Sequence, residues 1–228
     1  MIRFLLKIYY MNILNKCFDK LYIISSYSTQ NRIKDLTVYL KQENIKYELI
    51  IAPKKKYFKS SLISTFESEA EPSLISANES IFLKESYSKN KSFCIIEDDI
   101  YFTDNYTHKF KNFFNSLPDD WDIINIGYHA HSFINHKMDT TKLYYKVVNG
   151  EDIVGTHIVA YKNHTVKSIL DSIEECVYPL DWFLTKNIYL KFNTYACTDK
   201  IFYASSYRHY ETDKNEFYKK YKSEIIYE

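Results

Sequence analysis

At 228 residues, 46% hydrophobic and 26% charged, the chain is long enough for a sizeable core and has an ordinary globular composition. A formal net charge of +1 excludes the broad basic field with which proteins hold nucleic acid or anionic lipid. Twenty-three tyrosines beside three glycines mark a bias of the kind an AT-rich genome produces, which carries no function of itself.

The amino-terminal run MIRFLLKIYYMNIL is apolar but interrupted by Arg3 and Lys7, and it is too short to span a bilayer. No small-residue cleavage site follows it, which argues against a secretory signal. Residues 1–20 read as an arm or helix packed on the domain; the alternative is a peripheral membrane contact through residues 1–14. Cys17, Cys94, Cys176 and Cys197 are widely spaced and form no metal pattern, so free thiols in a reducing, cytoplasmic setting are expected.

Strands and helices then alternate. Residues 21–25 (LYIIS) read as a buried strand, 31–44 as a helix with Ile33, Leu36 and Leu40 on one stripe, and 46–52 (KYELIIA) as a second strand. Residues 57–72 hold no period and read as a loop. Ser73 is the expected cap of a helix running to about Lys89. An apolar strand over 93–97 is followed by a helix whose face carries Tyr106, Phe110, Phe113, Phe114 and Leu117. Residues 121–127 (WDIINIG) form the next strand, and 128–146 are a long excursion carrying His129, His131 and His136. Extended segments fill 147–161, a helix carries Val166, Ile169, Leu170, Ile173 and Val177, and another begins at Asp181 after Pro179. A last strand over 200–205 precedes a charged, tyrosine-rich tail. With no repeat and no Ser/Gly linker, residues 21–228 read as one domain. The alternation argues a three-layer α/β/α sandwich around a mainly parallel sheet, with strands 21–25, 46–52, 93–97 and 121–126 as neighbours.

The chemistry concentrates in Ser92-Phe-Cys-Ile-Ile-Glu-Asp-Asp-Ile-Tyr-Phe102. Phe93 to Ile96 has the character of a strand covered on both faces. Glu97, Asp98 and Asp99 then crowd at its carboxyl end, where open α/β sheets present their ligand crevice. Crowded carboxylates raise one another's pKa, and a hard cation such as Mg²⁺ or Mn²⁺ relieves that cost. A solvated acidic loop capping the strand is the plainer reading. Glu97 and Asp99, two apart, would point the same way and Asp98 to the other side.

Three segments in order resemble glycosyltransferase family 25, the group of lipooligosaccharide and collagen galactosyltransferases. They are LYIISSYSTQNRIKDL, then CIIEDDIYF with DWDIINIG after it, then GTHIVAYKNHTVKSIL with YPLDWFL. Where the family usually carries a Ser-His pair on the helix before the acidic strand, this chain has Ser76-Ala-Asn78. The resemblance implies a GT-A fold, a UDP-sugar donor and Mn²⁺ or Mg²⁺ at the acidic motif. It implies Asp99 as direct metal ligand, Glu97 as ligand or ribose contact, and Asp98 as a donor-site partner. Ser25, at the end of the first strand, would touch base or ribose.

Arg32 would reach the nucleotide phosphates with its planar fork, or else sit in solvent in the first helical turn. Asp181 is the candidate general base for an inverting transfer, or a helix cap, or both. His209 is a candidate further metal ligand, with an exposed tail histidine as its alternative. His129, His131 and His157 either line an acceptor groove or pack as ordinary histidines.

The function expected is a metal-dependent transfer of a hexose, galactose or glucose, from a UDP-sugar to a glycan or to a glycoprotein or glycolipid acceptor. Two alternatives stand beside it: a catalytically silent carbohydrate-binding protein of the same fold, and a Mg²⁺-dependent nucleotidyltransferase or phosphohydrolase. The last normally uses a Gly-rich phosphate loop, which Gly127, Gly150 and Gly155 do not make.

Overall fold

The computed structural model describes residues 11–26, 30–54, 70–128, 141–149, 153–176, 179–199 and 201–204. Six helices are labelled here: α1 Ile13–Cys17, α2 Gln30–Gln42, α3 Ala70–Ser86, α4 Tyr106–Ser116, α5 Val166–Ile173 and α6 Leu180–Asn187. The strands are β1 Lys20–Ser25, β2 Glu48–Ile51, β3 Ser92–Glu97, β4 Ile100–Phe102, β5 Ile123–Gly127, β6 Tyr144–Lys146, β7 Ile158–Lys162, β8 Thr194–Cys197 and β9 Phe202–Ala204.

Seven strands form one sheet in the order β2-β1-β3-β7-β5-β8-β6. β1 pairs in parallel with β2 and β3, and β5 with β8, whereas β7 runs antiparallel to both β3 and β5, and β6 antiparallel to β8. Five strands therefore point one way and the sheet is mainly parallel. β7 separates β3 from β5, so the expected direct adjacency of 93–97 and 121–126 is corrected: the extended segment after Gly155 inserts between them.

Both faces of the sheet are covered, which gives the three layers. In β3, Phe93 and Ile95 enter one core and Cys94 and Ile96 the other. This is the alternation of a strand buried on both sides. The first core takes Ile75, Ile81 and Phe82 from α3, Ile169 from α5 and Phe183 from α6, around a stacked Phe93–Tyr161 pair with ring centroids 5.4 Å apart. The second takes Leu14 from α1, Leu36 and Leu40 from α2, and Phe110 and Phe113 from α4. Leu14 and Phe18 are buried here, so the end of the amino-terminal segment is part of the core. Asn12 caps α1, its side chain accepting from the Leu14 N–H at 3.0 Å.

One expectation is corrected, and two strands appear that the sequence pattern did not announce. α3 begins at Ala70, with Pro72 inside its first turn, where a missing N–H costs nothing. Ser73 therefore does not cap it and instead donates to the Pro53 carbonyl at 2.8 Å. β4 follows directly on the acidic turn and pairs with β9 in a separate two-stranded sheet. β8, a buried TYAC segment, extends the main sheet beyond β5. Among the described residues no helix is long and apolar enough to cross a membrane, and no disulfide links the four cysteines.

Candidate active site

β3 delivers Glu97 to the carboxyl end of the sheet, and Asp98 and Asp99 form the turn into β4. The three acids divide. Asp98 faces β1, where Ser25 Oγ donates to its Oδ2 at 2.5 Å. Glu97 turns toward the start of β7: Thr156 Oγ1 donates to Oε1 at 2.7 Å, and His157 Nδ1 lies 3.0 Å from Oε2. Asp99 Oδ1 is 3.6 Å from the same His157 nitrogen.

His157 reaches the acids because β7 is antiparallel. Its first residue, Ile158, pairs with Ile96, and the Glu97 N–H donates to the His157 carbonyl at 2.9 Å. β5 makes room for it. The β5–β7 register shifts between Asn125 and Gly127, and a Cβ at Gly127 would sit 3.2 Å from the Ile158 nitrogen and 3.3 Å from His157 Cβ. A side chain there would press on the strand that carries the imidazole.

Burial disfavours a charged His157, yet the Glu97 and Asp99 carboxylates outweigh it and push the imidazole up to about 10. Glu97, Asp99 and His157 each offer one ligand atom, and these atoms lie within 4.8 Å of one another. Two carboxylates and an imidazole are a donor set that suits Mn²⁺ well and Mg²⁺ acceptably. The residues present therefore fit a divalent cation.

The same corner borders a cleft of about 330 Å³, whose lining includes Glu97, Thr156, His157, Pro179, Asp181 and Trp182. Asp181 stands in the first turn of α6, and Pro179 occupies the cap position. The expected capping role of Asp181 is thus corrected. Its carboxylate accepts the backbone N–H groups of Trp182, at 2.8 Å, and of Gly155. Burial raises its pKa above the usual carboxylate range, the Glu97 charge adds to this, and the two N–H groups and His157 oppose it.

Residues 153–157 join the two halves of the site. Thr185 Oγ1 donates to the Ile153 carbonyl and Asn125 Nδ2 to the Gly155 carbonyl, both at 2.8 Å. Gly155 has φ 107°, a backbone conformation that L side chains rarely adopt. That turn aims the Gly155 N–H at Asp181 while Thr156 and His157 face Glu97.

No family model matches the chain, and neither does any curated protein. Among solved structures it is similar to the inositol-1-phosphate CTP transferase of T. maritima, at 11% identity and TM-score 0.49, over 91% of this chain and 98% of that one. It is similar to a Bacillus anthracis protein assigned as a glucose-1-phosphate thymidylyltransferase and solved with sucrose, at 15% identity and TM-score 0.41, over 75% and 82%. A glycosyltransferase involved in glycosylation of the major capsid of PBCV-1 follows, at 10% identity and TM-score 0.35, over 74% and 68%. At such values the chemistry rests on the site's own residues.

Of the residues singled out by sequence, Ser25, Glu97, Asp98 and Asp99 meet at one end of the sheet, and Asp181 shares the cleft with Glu97. Arg32 falls in the first turn of α2, and its side chain lies outside the described residues, as do His209, His129 and His131. His157 was legible only as a groove or packed histidine. Its place beside Glu97 and Asp99 depends on β7 inserting antiparallel next to β3. Asn125 did leave a sequence signal, an amide inside the apolar run Ile123-Ile-Asn-Ile126.

Proposed function

We propose that the chain is a metal-dependent glycosyltransferase of GT-A type, akin to family 25, that moves a hexose from a UDP-sugar to a hydroxyl of a glycan or glycosylated acceptor. Residues 21–228 then form one catalytic domain. The observation that carries this reading is that Glu97 and His157, two members of a cation-type donor set, line one cleft with a separate, partly buried carboxylate on a different element. Transfer needs both: a place for the diphosphate's charge and a proton acceptor for the incoming hydroxyl.

In the reaction the bond from the anomeric carbon to the diphosphate oxygen breaks, the bond to the acceptor oxygen forms, and UDP leaves. A divalent cation held by Glu97, Asp99 and His157 would supply neutralisation of the charge growing on the leaving group. Asp98, fixed by Ser25, faces the β1 side and would read ribose hydroxyls or a base N–H there. Asp181 takes the acceptor proton. Its raised pKa makes it a better base than an ordinary carboxylate, and the N–H groups of Trp182 and Gly155 hold its orientation.

A thermal-shift panel of UDP-hexoses and UDP, each with Mn²⁺ and with chelator, tests the donor assignment, because a ligand that binds only the native state raises the melting temperature. A rise with UDP-hexose that needs Mn²⁺, followed by UDP release in the presence of a saccharide acceptor, supports the reading. Pyrophosphate release from a nucleoside triphosphate and a sugar 1-phosphate would replace it with nucleotidyl transfer.

A further inference from the structure

The two tryptophans of the chain have opposite surroundings. Trp121 packs edge-on against Phe18 and Phe114, with ring centroids 6.5 and 6.2 Å away. Trp182 is 42% exposed, although it lies next to a partly buried carboxylate and borders the cleft. α6 buries Leu180, Phe183 and Leu184 against the core, the spacing of one helical face, so Trp182 is not needed to hold the helix down. Lys186, one turn on, places its Nζ 4.9 Å from the centre of the Trp182 ring, which restrains the indole.

The lining near Trp182 mixes apolar surface from Leu74, Val154 and Pro179 with the carboxylates of Glu71 and Asp181. A pyranose has the matching character: a ring face of C–H groups that packs on an indole, and a rim of hydroxyls that donate to carboxylates. An acyl chain would leave those carboxylates facing apolar groups.

We propose that Trp182 is the platform of a saccharide subsite in which a neutral pyranose stacks on the indole and presents a hydroxyl to Asp181. Calling that saccharide the acceptor rests on the transferase reading above; the subsite itself does not. The donor diphosphate belongs at the Glu97, Asp99 and His157 corner, and Trp182 and Asp181 border the same cleft as Glu97 and His157. This deepens the reading by naming the acceptor end as a pyranose, with glycans favoured over bare protein hydroxyls.

The test uses the full chain with Trp121→Phe, which leaves Trp182 as the single indole. Emission is followed while methyl β-D-galactopyranoside, methyl β-D-glucopyranoside, lactose and N-acetyllactosamine are titrated, with UDP–Mn²⁺ thermal shifts measured in parallel. A saturable change in Trp182 emission with at least one pyranoside is expected. In the parent chain, Trp182→Ala should weaken that saccharide about tenfold, read by saturation-transfer NMR, whereas Trp182→Phe should keep most of the binding. UDP–Mn²⁺ stabilisation with no emission response to any of the four sugars overturns the subsite and leaves the transferase reading standing. A sugar response without UDP–Mn²⁺ stabilisation keeps the subsite and removes the transferase. Equal saccharide binding in Trp182→Ala and the parent overturns the subsite.

Discussion

Asn125 Nδ2 donates to the Gly155 carbonyl at 2.8 Å, thirty residues along the chain, from a side chain that is fully buried. The same nitrogen lies 3.3 Å from the Tyr189 hydroxyl, while Asn125 Oδ1 is buried with no hydrogen-bond partner. A buried amide with one end unsatisfied is an expensive way to fill space, since an apolar residue of similar size carries no such cost. Its return is the fixed turn at Gly155, which points an N–H at Asp181.

Asn125→Ala is therefore expected to cost about 1–3 kcal/mol, the range for stranding a buried carbonyl. At this chain length that lowers the melting temperature by about 2–4 °C for each kcal/mol. Transfer should fall as well, with the donor KM nearly unchanged. In an Asp181→Asn background the further loss of transfer should disappear, because Asn125 acts through Asp181. A loss that simply adds to that of Asp181→Asn would make Asn125 a packing residue only.

Metal dependence should trace to three side chains, at the end of β3, in the turn after it and just before β7. Asp99→Asn and Glu97→Gln keep shape and remove charge, and His157→Ala removes the imidazole. Each should abolish most of the Mn²⁺-dependent stabilisation by UDP. Ser25→Ala disturbs only the Asp98 side and should weaken UDP while leaving Mn²⁺ binding intact, measured by calorimetry with the metal alone. UDP binding that is equal in chelator and in Mn²⁺ would dismiss the site.

The same triad predicts a pH signature. The folded-state pKa of His157 is raised from 6.5 to about 10, so the pairing with Glu97 and Asp99 stabilises the metal-free fold fully below about pH 6.5. That contribution is lost as pH rises through about 10. A metal ligand must be neutral imidazole, so cation binding near pH 7–8 should release a proton and its apparent affinity should climb with pH across that range. Mn²⁺ titrations in buffers of different ionisation enthalpy count the protons. A count of zero at pH 7.5, where metal-free His157 is charged, would place the imidazole outside the coordination sphere.

The parts of the fold that local pattern dictates were legible in sequence. β1, β3 and β5 are short apolar runs, and β3 ends directly on its acids, so the strand, the sheet end and the carboxylates could be read together. Non-local pairing hid the remainder. Nothing in residues 153–162 announces that β7 inserts antiparallel between β3 and β5, and that insertion alone brings His157 to Glu97. β4, of three residues, and β8, of four, are too short to show a period, whereas β9 falls inside the strand expected over 200–205. Ser73 resembled a cap because the Pro72 before it looked like a boundary, whereas Pro is at home in a first helical turn.

Asp181 decides whether the cleft performs catalysis or only binds. Pro179 holds the cap position of α6, so Asp181 is spared that duty, and Asn at 181 can still accept the Trp182 N–H through its amide oxygen. Asp181→Asn should therefore fold normally, with a stability change of about 1 kcal/mol or less from the lost charge in the first helical turn. Mn²⁺-dependent UDP binding should persist, because the cation's donor set lies on β3, the turn after it and the start of β7. Transfer should nonetheless fall by about 10²–10⁴-fold, the range a general base contributes. In the parent chain the acidic limb of kcat/KM should lie above that of an ordinary carboxylate, since burial raises the Asp181 pKa. Ala at 181 is the poorer probe, because it strands the Gly155 N–H and mixes loss of chemistry with loss of geometry. Turnover in Asp181→Asn equal to that of the parent would move the base to another residue. Loss of UDP binding instead would make Asp181 part of the donor site.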